Sequence, residues 1–103
     1  MLLTIIETPL FQKQAEAVWT EREYLEFTFW IAQNPQAGDV VKHTTPAARK
    51  VRWKRPGTGK RGGVRVIYYY LDEDSAVLLA SVYAKAVLGA LSATQINQLT
   101  KGI

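Results

Sequence analysis

Apolar and polar positions change period several times along the chain, and each change marks an element. Leu2 to Glu7 (LLTIIE) is a short β-prone run and predicts a first strand. Thr8-Pro9 predicts the start of a helix, with Thr as N-cap and Pro at the first helical position, where its missing N–H costs nothing. Phe11, Ala15 and Val18 stand at i, i+4 and i+7 and give that helix an apolar stripe. Thr20 followed by Glu23 is a capping box that opens a second helix. The middle of that helix, YLEFTFWIA, is apolar on most sides, which predicts the more buried of the two, with Phe29 and Trp30 as core residues. Asn34-Pro35 ends it, and Gly38-Asp39 is expected to form a turn.

Residues 40–48 (VVKHTTPAA) carry no clear period. From Arg49 to Leu71 the pattern switches to alternation. In K-V-R-W-K, Lys50, Arg52 and Lys54 fall on one face of a strand, with Val51 and Trp53 on the other. VRVIYYYL, β-branched and aromatic, predicts the partner strand, and P-G-T-G-K-R-G-G between them reads as a glycine-rich hairpin loop. Asp72 to Ser75 is the next turn. Ala76 to Tyr83 (AVLLASVY) is a nearly continuous apolar run, as expected of a central strand buried on both faces, and Lys85 stands just past its end. Ser92 with Gln95 is a second capping box, and Ile96, Leu99 and Ile103 give a short amphipathic C-terminal helix. The order β-α-α-β-β-β-α predicts one α+β domain over residues 1–103: an antiparallel or mixed sheet of about four strands with helices packed on one side.

Composition narrows the class. Hydrophobic residues at 48% and charged residues at 21% describe an ordinary globular domain. No apolar run approaches the roughly 20 residues that span a bilayer. The N-terminus lacks a basic segment followed by a long apolar one, so no secretory signal and a cytoplasmic location are expected. Without cysteine there is no disulfide framework and no thiolate nucleophile or metal ligand. His43 is the one histidine; no second metal ligand stands at suitable spacing, so neither a metal nor another cofactor is expected and His43 is given no role.

Charge changes the picture most. Residues 1–39 hold six acids against Lys13 and Arg22, a net of −4, whereas residues 40–70 hold nine cations and no acid. Eight of the thirteen Lys and Arg lie between Arg49 and Arg65. Such segregation concentrates positive potential on one part of a small surface and suits a polyanion or an acidic partner. The bland alternative is a solvated basic hairpin, but solvated faces usually mix both signs.

NPQAGDVV, RKVRW, GKRGGVRVIYYYL, LLASVYAK and the LSATQ helix, in that order, resemble the HigB-like branch of the RelE/ParE toxin superfamily, along nearly the whole chain. The resemblance implies a small RelE-like domain that is the toxin of a type II toxin–antitoxin system. It implies an mRNA interferase: a ribosome-dependent, metal-independent endoribonuclease that blocks translation. The implied partners are mRNA on the ribosome and a cognate helix-turn-helix antitoxin (HigA-like), with no membrane and no small-molecule cofactor. The family's basic strand matches Lys50, Arg52 and Lys54, its hairpin-strand Arg matches Arg65, and the Lys ending its last core strand matches Lys85. Ala86-Val87 departs from the Asn-Glu of many members of this branch. Two other functions stay open: a ParE-like gyrase inhibitor, and a catalytically weak homologue that acts as an antitoxin-binding module.

RNA cleavage by 2′-OH attack needs a base, stabilisation of a phosphorane and an acid for the leaving 5′-oxygen. Arg65 is the candidate for charge stabilisation, since a guanidinium forks two N–H bonds to phosphoryl oxygens. Lys54, among cations that lower its pKa, is the candidate base and Lys85 the candidate acid. Lys50, Arg52, Lys60 and Arg61 are candidate phosphate anchors. Trp53, Tyr68, Tyr69, Tyr70 and Tyr83 offer rings for base stacking, but alternation sends about half of them inward; Tyr83, beside Lys85 at a strand end, is the one assigned to the site.

Overall fold

A computed structural model describes residues 3–53, 63–84 and 89–101. The elements run β1 (Thr4–Glu7), α1 (Pro9–Val18), α2 (Glu21–Gln33), β2 (Asp39–Val41), β3 (Ala48–Trp53), β4 (Val64–Leu71), a 3-10 turn (Asp72–Asp74), β5 (Ala76–Ala84) and α3 (Ala93–Gln98). The caps predicted from sequence form. Thr8 accepts a hydrogen bond from the Phe11 N–H, and both capping boxes, Thr20/Glu23 and Ser92/Gln95, close reciprocally.

The sheet is mixed and five-stranded, in the order β1-β5-β4-β3-β2. β1 lies parallel to β5, and the other neighbours are antiparallel. The α+β class holds, with one strand more than the expected four. The addition is β2: Asp39, expected in a turn, instead begins a three-residue strand paired with β3. Three residues are too few for alternation to register in a sequence.

Helices cover both faces of the sheet, which corrects the expectation of one side. On one face Phe11, Ala15 and Trp19 together with Phe27 and Ile31 pack on Val64, Val66, Tyr68, Val77, Leu79 and Val82. On the other face Ile96 of α3 packs with Ala48, Ile67, Tyr69, Ala80 and Tyr83. β4 supplies both cores by strict alternation, which is why VRVIYYYL is apolar on nearly every position. In β5 a bulge lets Tyr68 pair with Leu79 but Ile67 with Ser81.

α2 is not apolar all round. Phe27 and Ile31 are fully buried and Trp30 packs against the same core, but Phe29 is 68% exposed, so its assignment to the core is corrected. A helix lying on a sheet can bury only one stripe, and Phe29 falls with Leu25 on the outer side.

β1 covers only the first half of β5, and α1 completes that edge. Thr8 donates through its N–H to the Leu79 carbonyl and through its hydroxyl to the Ala80 carbonyl. The Gln14 side-chain oxygen accepts from the Ser81 hydroxyl and the Val82 N–H. Backbone groups left over by the short strand are thus taken up by the Thr8 N–H and by the Thr8 and Gln14 side chains.

Candidate nucleic-acid interface

The alternation of β3 and β4 carries straight into the site. Val51 and Trp53 turn toward α1 and α2, where the Trp53 ring lies 5.2 Å from Phe27 and 4.9 Å from Trp30, measured between centroids. Lys50 and Arg52 therefore emerge on the opposite face. Register places Arg52 directly across from Arg65, and Arg65 directly across from Tyr83, so the three form one row over β3, β4 and β5. Lys50 lies one pleat away, across from Asp39 of β2.

These residues line an open cavity of about 480 Å³, walled by Asp39, Lys50, Arg52, Arg65 and Tyr83 and also lined by Gly89 and Ala90. α3 covers the rest of that sheet face. Of the residues predicted for the site, Lys50, Arg52, Arg65 and Tyr83 are thus brought together. Lys54, Lys60, Arg61 and Lys85 lie outside the described residues.

Two guanidinium side chains on directly opposed positions of neighbouring strands repel each other. Packing gains nothing from that arrangement, since two apolar or two oppositely charged residues would fit the same register. It suits a polyanionic ligand, whose phosphoryl oxygens accept from guanidinium forks.

Tyr83 is 3% exposed, so its ring is a wall of the cavity rather than a free stacking platform. Its hydroxyl is buried and, among the described residues, has no hydrogen-bond partner of good geometry. Burial pushes its pKa up, while the Leu91 backbone N–H and the Arg65 guanidinium pull it part of the way back. It is therefore a neutral phenol at pH 7.

The other aromatics are structural. Tyr69 is buried in the α3-side core, and Tyr70 packs against the helix-side core while bonding Asp72. The Tyr68 hydroxyl donates to the Pro35 carbonyl at 2.7 Å and accepts from the Gly38 N–H at 2.9 Å. Gly38 is needed there, because a Cβ would sit 2.9 Å from the Tyr68 ring and hydroxyl. Arg49 faces away from the cavity and donates to the carbonyls of Gln36 and Gly38, so one of the eight clustered cations serves the fold.

His43 is exposed, with φ 67°, and its carbonyl accepts from the Asn97 side-chain amide. Among the described residues no group of three or more His, Asp or Glu is placed to hold a metal ion. Asp39 is the wall residue that sequence reasoning missed. The signal that would have found it was the register of a strand too short to predict.

No helix among the described residues is long and apolar enough to cross a membrane. No family model matches the sequence. Among solved structures the fold is similar to that of the E. coli toxin RelE, an arginine-to-alanine double mutant in the free state. The TM-score is 0.61 at 18% identity, covering 85% of this chain and 88% of that one. The chain has the RelE-like fold.

Proposed function

We propose that this chain is the toxin of a type II toxin–antitoxin pair, in the HigB-like branch of the RelE/ParE superfamily, and that it cleaves mRNA on the ribosome. The observation that carries this reading is the direct opposition of Arg52 and Arg65 in an open cavity beside a buried tyrosine. The fold shared with a toxin and the run of cations without acids from residue 40 to residue 70 support it.

In this mechanism Arg52 and Arg65 grip the phosphoryl oxygens, and the 2′-OH attacks the adjacent phosphorus in line. Charge grows on the equatorial oxygens as the phosphorane forms, so the two forks bind the transition state more tightly than the ground state. The Tyr83 ring walls the cavity beside them. Lys50 anchors a neighbouring phosphate, and Lys60 and Arg61 are further anchors. Proton removal from the 2′-OH falls to Lys54, and protonation of the 5′-oxygen to Lys85. The cognate antitoxin, a helix-turn-helix protein, must cover this cavity to neutralise it.

The test is a translation reaction containing a defined mRNA, with the purified protein added. Wild type should cut the message, and Arg65→Ala, folded by circular dichroism, should slow cutting about 10²–10³-fold, the usual effect of losing one transition-state donor. Intact mRNA with wild type present overturns the reading; growth arrest with DNA breaks in expressing cells would then point to gyrase.

A further inference from the structure

Asp39 is out of place in a phosphate-binding cavity. Its carboxylate repels the ligand that Lys50, Arg52 and Arg65 attract, yet it lies in the same wall and in register with Lys50. Lys50 stands directly across from it, but it is exposed, and no Lys or Arg among the described residues forms an ion pair with it. Nor is it a stray loop residue. Three contacts fix the segment leading into it, namely the Tyr68 hydroxyl to Pro35 and Gly38, the Arg49 guanidinium to Gly38, and the seat of Gly38 against the Tyr68 ring.

Its distance from the arginine row limits what it can do. β2 is two strands from β4, and the Asp39–Lys50 row is two residues from the Arg52–Arg65 row. Strand spacings of about 4.8 Å and a two-residue step of about 6.8 Å put the Asp39 and Arg65 Cα atoms roughly 12 Å apart. That is too far for a short side chain to take a proton from a ribose held at Arg65. It is within reach of the base of a nucleotide whose phosphate is held there.

We infer that Asp39 is a specificity-determining residue, whose carboxylate accepts hydrogen bonds from the Watson–Crick edge of a guanine beside the gripped phosphate. An ionised carboxylate only accepts, through two oxygens. Guanine alone among the RNA bases offers two adjacent donors on that edge, N1–H and the N2 amino group. Adenine and cytosine place a ring acceptor beside their one amino group, and uracil flanks its N–H with two carbonyls. Single-stranded RNA is read on such edges. The inference rests on the RNA-cleavage reading for its setting, but its test does not depend on cleavage.

Binding of short 2′-O-methyl oligonucleotides, which cannot be cut, is measured by fluorescence anisotropy; each carries a single G, A, C or U in an otherwise uniform uridine strand. Wild type should bind the guanine strand about tenfold more tightly than the adenine strand. Asp39→Asn should bring that ratio close to one, and Asp39→Glu should keep most of it, with all three proteins folded by circular dichroism. A wild type without base preference overturns the inference, as does a preference that Asp39→Asn retains. So does a uniform tightening of all four strands by Asp39→Asn, which would make the carboxylate a simple repeller of phosphate. A guanine preference dependent on Asp39 in a protein that leaves mRNA intact would sink the nuclease and keep the base reader. Cleavage without that preference would do the reverse.

Discussion

On β3, Val51 and Trp53 pack into an aromatic-rich cluster with Phe27 and Trp30, while Lys50 and Arg52, the residues between and before them, line an open cavity. The helix-side face is filled by aromatic and branched side chains in mutual contact. The other face is divided between a small core under α3 and a patch where like charges are set directly opposite each other. Packing accounts for most of the first face. It does not account for Arg52 facing Arg65, and departures from local rules of this kind mark sites of function.

The contrast can be broken from either side. Phe27→Ala removes a fully buried ring that contacts Trp19, Trp30 and Trp53. It should cost about 3–5 kcal/mol in urea unfolding. Arg65→Ala, one layer away, should change stability by under about 1 kcal/mol while slowing cleavage as given above. If Arg65→Ala unfolds the protein as readily as Phe27→Ala, the two faces are not separable and the division fails.

Gly38→Ala tests the link between them, because Gly38 seats against a helix-side residue, Tyr68, and leads into a cavity-side residue, Asp39. Forcing a methyl group into that contact should cost about 1–3 kcal/mol. A smaller effect belongs to Tyr24 at the sheet edge, whose hydroxyl donates to Glu7. Burial first, and then the Glu7 carboxylate, push its pKa up to about 12 from 10.0. The folded state therefore holds that proton more tightly than the unfolded chain. The contribution is whole below pH 10 and is lost as pH rises from 10 to about 12. Unfolding midpoints across this window should fall less steeply in Tyr24→Phe than in wild type.

Sequence legibility followed the same division. Helix starts were plain because Thr8-Pro9, Thr20/Glu23 and Ser92/Gln95 are local chemical signals that survive any tertiary context. The alternation of K-V-R-W also sorted Lys50 and Arg52 from Val51 and Trp53 correctly. Three features were not legible. β2 is three residues long, too short for strand alternation to register, so nothing local marks Asp39 as part of a strand. Phe29 has the composition of a core residue, and only the docking angle of α2 leaves it outside. The placement of α3 on the second face depends on which side of β4 and β5 remains uncovered, a fact that no window of sequence contains.

The parallel pairing of Thr4–Glu7 with Ala76–Leu79 has a consequence for biosynthesis. The hairpins that build the basic patch join neighbours in the chain, whereas the first strand must wait for a partner about seventy residues downstream, closing the longest loop in the molecule last. Until residues 76–84 have cleared the exit tunnel, the nascent N-terminal segment has no edge to join and its helices have no completed sheet to rest on. A chain proposed to act against translation would thus complete its own sheet only once residues 76–84 have themselves been translated.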